Sequence, residues 1–128
     1  RHSILKEKPL TVVEITLSLS PGNPDKIKSR MKKLQQQRKE KQPLSRPSAG
    51  SIFKRPPHNY AGALIEKAGL KGTEIGGARV STKHAGFIIN QGSATAADIK
   101  NLVLHIQKKV QQQFGVKLEP EPIFIGEF

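Results

Sequence analysis

Cysteine is absent from this 128-residue chain. That excludes disulfides and thiolate metal sites, and it fits a reducing cytoplasm. Tryptophan is absent too, and aromatic residues make up only 5%, so the core is aliphatic and modest. No apolar run approaches the roughly 20 residues of a membrane-spanning helix, and no signal peptide is visible. No membrane partner is therefore expected. Acidic residues are scarce, ten against twenty-two Lys and Arg, for a net charge of +12. The length suits one domain.

A positive balance of this size favours phosphates, polyanions or an acidic surface. Its distribution narrows the choice. Between Asp25 and Lys41 stand eight basic residues and two acidic ones. No aromatic is interleaved with these cations to stack on bases, and no zinc or RNA-binding motif is present. A solvated helix face is the better reading, and no nucleic-acid partner is expected. A small basic nucleic-acid-binding module is the alternative. RNA binding with a steep salt dependence would favour it.

Leu10–Ser20 alternates, with Val13, Ile15, Leu17 and Leu19 on one side and Glu14, Thr16 and Ser18 on the other, which predicts a strand. Pro21-Gly22 turns the chain. Asn23 then caps a helix with Pro24 at its first position. Ile27, Met31 and Leu34 give that helix one narrow stripe, and Gln42-Pro43 ends it at the surface. Ser48–Pro56 has neither helical nor strand periodicity and reads as a loop. Ala61–Ala68 reads as a short helix with Gly69 just past its end. Glu74–Val80 and Phe87–Asn90 read as short strands. Thr95 opens the longest helix, with Asp98 completing a capping box. Its apolar face runs through Ile99, Leu102, Val103, Ile106, Val110 and Phe114, and Gly115 ends it. Val116–Leu118 and Ile123–Ile125 read as final strand pieces. The order implies an α+β fold: a small mixed β-sheet with about three helices packed mainly on one face.

Several kinds of chemistry are excluded by spacing. Gly69, Gly72, Gly76 and Gly77 do not form a dinucleotide fingerprint, and no Walker motif appears. His2, His58, His84 and His105 lack metal-ligand spacing; His105 reads as structural or exposed, and His84 stays open in its small-residue loop. No G-x-S-x-G elbow is present, so a nucleophilic serine is not indicated. Two features remain. Ser48-Ala49-Gly50-Ser51 places hydroxyls beside a glycine and ahead of Lys54-Arg55. Glu119-Pro120-Glu121-Pro122 locks carboxylates into a rigid turn. A serine that hands a proton to a developing carbanion, with cations nearby, fits these parts.

Five stretches, RHSILKE (1–7), SAGSIFKRPP (48–57), AGALIEKAGLKG (61–72), IGGARVSTKHAGFIIN (75–90) and QFGVKLEPEPIFIGE (113–127), together resemble the C-terminal part of the UDP-N-acetylenolpyruvoylglucosamine reductases (MurB), of the type II branch. The resemblance implies reduction of the enolpyruvyl ether of a UDP-amino sugar to the lactyl ether of UDP-N-acetylmuramate, for peptidoglycan. It implies NADPH as hydride source and FAD as carrier, bound mainly by an N-terminal domain outside this chain. It assigns Ser51, rather than Ser48, as proton donor to C2. It assigns Glu121, rather than Glu119, and Arg1 to the substrate carboxylate. Lys41, Lys54 and Arg55 become candidate substrate-binding residues. Arg55 stands where type I enzymes have asparagine, and Pro122 replaces a common valine. On this resemblance residues 1–8 end the FAD-binding region, and residues 9–128 form the substrate-binding domain. A cytoplasmic monomer is expected. Without its flavin domain the isolated piece is expected to be inactive.

Overall fold

The structure, a computed structural model, describes residues 3–127. It divides into two compact units, one up to Lys32 and one from Lys33 onward, the division falling within the first helix.

In the first unit, Ile4–Lys6 forms a single 3₁₀ turn, capped by the Ser3 hydroxyl accepting from Leu5 N–H at 3.3 Å. The strand expected over Leu10–Ser20 does not form. Its apolar side stays exposed, with Val13 at 94% and Leu19 at 83%. Alternation marks a face that suits burial, but a strand exists only through a paired ladder, and among the described residues this segment has no pairing partner. Helix α1 spans Pro24–Lys41. Asn23 Oδ1 accepts from Lys26 N–H at 3.0 Å, and the proline at the first position needs no hydrogen-bond partner. None of its residues is buried. Its eight cations and its thin stripe both face solvent, as a polar-all-round helix must.

The second unit holds a four-stranded sheet in the order β1-β4-β3-β2. The strands are β1 (Ser48–Ser51), β2 (Glu74–Ile75), β3 (Ala78–Val80) and β4 (Phe87–Asn90). Every pairing is antiparallel, so the α+β class stands and the sheet is not mixed. β2–β3 and β3–β4 are pairs of chain neighbours, while the connection through Ala61–Lys67 carries the chain from β1 at one edge to β2 at the other, and no two neighbouring strands are parallel. The Ser48 stretch is likewise a strand rather than a loop. Its Ser and Gly residues have low strand propensity, and β4 supplies the ladder that makes it one.

Glu74–Val80 is a hairpin, turned by Gly76-Gly77 with Gly76 at φ 53°. Helix α2 (Ala61–Lys67) and helix α3 (Ala96–Phe114) complete the fold. Helix α3 lies on β2 and β3 and touches α2. It buries Leu102, Val103, Ile106 and Val110. Thr95 and Asp98 form the reciprocal capping box, and Gly115 takes the left-handed cap at φ 68°. Beyond it, Leu118 is fully buried, and its carbonyl accepts from Gln107 Nε2 at 2.8 Å. The two final strand pieces do not form; a single bridge, Phe53 to Pro120, is all that pairs. Pro120 and Pro122 have no N–H to donate, so no ladder extends through them.

Candidate active site

Strand β1 carries one extra residue. Ser48 stands opposite Ile89 and Ser51 opposite Phe87, so three steps on β1 match two on β4. Gly50, at φ 81°, takes the left-handed backbone that this bulge needs. The bulge places Ser51 opposite Phe87 instead of Gly86.

The chain dives inward directly afterwards. Ile52 and Phe53 are each 2% exposed, whereas Ser51 faces solvent. Ile52 spends both backbone groups on segments distant in sequence. Its N–H donates to Gly86 O at 2.9 Å, and its carbonyl accepts from Glu121 N–H at 2.8 Å. Lys54 N–H donates to Glu119 O at 2.9 Å. Residues 52–54 and 119–121 thus run antiparallel, seamed by these two bonds. Through one backbone hydrogen bond Glu121 joins the residue that follows Ser51, although 70 positions separate it from that serine.

The Ser51 hydroxyl donates to Phe53 O at 3.4 Å, a long and weak bond. Lys54 forms an ion pair with Glu119. The Arg55 guanidinium lies 4.1 Å over the Tyr60 ring, and its Nε donates to Asn59 O at 3.4 Å. Lys54 and Arg55, candidates for a substrate's charge, therefore each have a partner within the chain. Lys41 is the exposed last residue of α1. Arg1 lies outside the described residues.

A second group flanks Ser51. His84 Nδ1 accepts from Gly86 N–H at 3.1 Å, which puts the proton of the neutral ring on Nε2. The ring meets Phe87 edge-on at 5.0 Å. The Ser81 hydroxyl, almost fully buried, accepts from the N–H groups of Lys83 and His84, both at 3.2 Å. A Cβ on Gly86 would come within 3.0 Å of His84 Cε1 and 3.7 Å of Ser51 Oγ. The glycine therefore keeps open the space that serine and imidazole share. Sequence reasoning left His84 open and missed Gly86; neither has a signature without its contacts.

The paired-glycine turn at Gly76-Gly77 is filled from within. A Cβ on Gly77 would stand 2.3 Å from Ala94 N, and one on Gly76 2.3 Å from Asp98 Cγ. Hydrogen bonds to the Asp98 carboxylate, first from the Thr95 backbone, then from the Thr95 side chain and from Gly77 N–H, hold its pKa below the usual value. A carboxylate in that place repels a pyrophosphate, so FAD does not fit this turn. No group of three or more His, Asp or Glu gathers to hold a metal among the described residues. No described helix is long and apolar enough to cross a membrane.

Residues 42–125 match the family described as UDP-N-acetylenolpyruvoylglucosamine reductase, C-terminal domain. A protein of that name from Caldanaerobacter subterraneus subsp. tengcongensis is 59% identical over 127 residues, covering 99% of this chain and 42% of the relative. One from Staphylococcus aureus is 46% identical over 127 residues, covering 99% of this chain and 41% of the relative. The crystal structure of UDP-N-acetylenolpyruvylglucosamine reductase (MurB) from Thermus caldophilus superposes with a TM-score of 0.65 at 40% identity. It covers 81% of this chain and 37% of that one. The chain spans about two fifths of the length of the curated relatives it matches. With the matched family covering residues 42–125, the chain belongs to the UDP-N-acetylenolpyruvoylglucosamine reductase family and carries its C-terminal domain.

Proposed function

We propose that this chain is the substrate-binding and proton-donating part of a reductase that converts UDP-N-acetylglucosamine enolpyruvate to UDP-N-acetylmuramate for peptidoglycan, in the cytoplasm. The observation that supports this reading is the bond from Glu121 N–H to Ile52 O at 2.8 Å, which ties the segment of Glu121 to the residue after Ser51. FAD, reduced by NADPH and held chiefly outside this chain, supplies the hydride when bound.

This chain's own residues do the rest. Once C3 has gained hydride, the electron pair of the double bond resides on C2 and its carboxylate. The Ser51 O–H bond breaks as the C2–H bond forms, and water restores the serine proton. Arg1 holds and polarises the substrate carboxylate, where negative charge grows in the transition state, and Glu121 is the residue that the family pattern pairs with it there. Lys41, Lys54 and Arg55 are the candidates to meet substrate charge; Lys54 would do so by exchanging Glu119 for the ligand. A hydroxyl is a weak acid, so its contribution depends on being held at the reacting carbon.

The test is a pair of substitutions in the full-length reductase. Ser51→Ala is expected to lower turnover by about 10²-fold or more, with affinity for the UDP-sugar retained by calorimetry. Ser48→Ala, on the far side of the bulge, is expected to turn over normally. Equal effects from the two would reject the assignment of Ser51.

A further inference from the structure

We propose that His84 is a positioning residue for Ser51, acting through Gly86; this rests on Ser51 being the proton donor. The hydroxyl has one long hydrogen bond of 3.4 Å, within its own segment. That bond is too weak to aim it. Its direction is instead inherited from the backbone at Ile52, and the Ile52 N–H is tied to Gly86 O at 2.9 Å. The same residue's N–H is tied to His84 Nδ1 at 3.1 Å. Gly86 is thus held at both ends, by the imidazole on one side and by the residue after Ser51 on the other.

The imidazole is itself fixed. Ser81 Oγ holds its backbone N–H, Phe87 meets its ring edge-on, and α2 approaches so closely that a Cβ on Gly62 would stand 3.1 Å from Cε1. Two glycines, one from α2 and one from the β3–β4 connection, form the notch for the ring. The small residues here serve the imidazole, and the imidazole serves the serine. Misplacement of a reacting group by about 1 Å is enough to cost about 10²-fold, so a change at His84 reaches the proton transfer without touching the substrate.

The test uses two substitutions in the full-length reductase. His84→Asn retains an oxygen where Nδ1 accepts the Gly86 N–H. His84→Leu fills the notch but accepts nothing. His84→Leu is expected to slow reoxidation of the reduced flavin by the UDP-sugar about tenfold or more. Its solvent deuterium isotope effect should rise as proton transfer becomes limiting, while substrate affinity and flavin reduction by NADPH stay as in the parent. His84→Asn is expected to restore most of the lost rate. A purely structural role would lower the melting temperature and leave the isotope effect unmoved, which overturns the proposal. Equal losses in both variants would mean that Nε2 acts directly, and that also overturns it. Should His84→Leu not fold, Gly86→Ala presses on the same ring, and an unaltered rate there counts against the assignment. Ser51→Ala separates the two levels. If it reoxidises normally, the proposed function fails. If it is slow and His84→Leu is not, only this inference fails.

Discussion

At Gly50 a single residue sets the register of Ser51 in the ladder. Its backbone sits at φ 81°, and a Cβ built there meets nothing within 4 Å. A substitution is therefore opposed by backbone strain alone. Gly50→Ala is expected to lower unfolding stability by about 1–2 kcal/mol, the cost of an L-residue in the left-handed region. The check is a urea titration in which the midpoint falls and the slope holds. Gly50→Asn is expected to lose less, because asparagine tolerates that region. Removing the bulge would also move Ser51 from Phe87 to Gly86 in the ladder, so activity should fall further than stability. Nothing in the one-dimensional pattern of Ser48–Ser51 signals this. The residue types announce permissiveness, and the bulge exists only because β4 pairs on both sides of it.

Among the elements, the β2–β3 turn and the start of α3 are locked together. Gly77 lies so close to the α3 approach that an added Cβ would stand 2.3 Å from Ala94 N and 2.5 Å from the Ser93 carbonyl carbon. Both are backbone atoms and cannot swing aside. Gly77→Ala is therefore expected to cost at least about 2 kcal/mol, in the upper range of overpacking, and thermal unfolding measures it. Asn90 steadies the same approach, its Oδ1 accepting from Gly92 N–H at 2.7 Å and Ala94 N–H at 3.1 Å.

Asp98 adds a pH dependence to this junction. Its folded pKa is lowered, chiefly by the Thr95 backbone N–H and then by the Thr95 side chain. A lowered carboxyl pKa means that the unfolded chain binds the proton first. The stabilisation is therefore complete above the ordinary value of about 4 and lost as pH falls through the folded value. The stability difference between the parent and Asp98→Asn should shrink on acidification below about pH 4; acid titrations of both proteins check it. A difference that grew with acid would contradict this.

Across the whole chain, what was legible followed from local chemistry. The Asn23-Pro24 start of α1, the Thr95–Asp98 box and Gly115 are each settled within a few residues, and each forms as the sequence suggests. The apolar face of α3 was readable for the same reason in its middle turns, where Leu102, Val103, Ile106 and Val110 are buried; at its two ends Ile99 is half-buried and Phe114 is exposed. What escaped was long-range pairing. Leu10–Ser20 has the alternation of a strand but no partner among the described residues. Ser48–Ser51 has a partner without the alternation. The antiparallel seam between residues 52–54 and 119–121 joins segments whose side chains gave no hint of each other. Only the family resemblance linked Ser51 to Glu121. The +12 charge, by contrast, was plain from composition, and eight of its cations lie on the fully solvated α1.

The separation of the two half-reactions tests the role of Ser51 most directly. In the full-length reductase, NADPH reduces the flavin without oxygen, and UDP-N-acetylglucosamine enolpyruvate is then mixed in while reoxidation is followed. With Ser51→Ala, reduction should proceed at the parent's rate, and reoxidation should slow by about 10²-fold or more. Reoxidation at the parent's rate would contradict the assignment of the proton to Ser51.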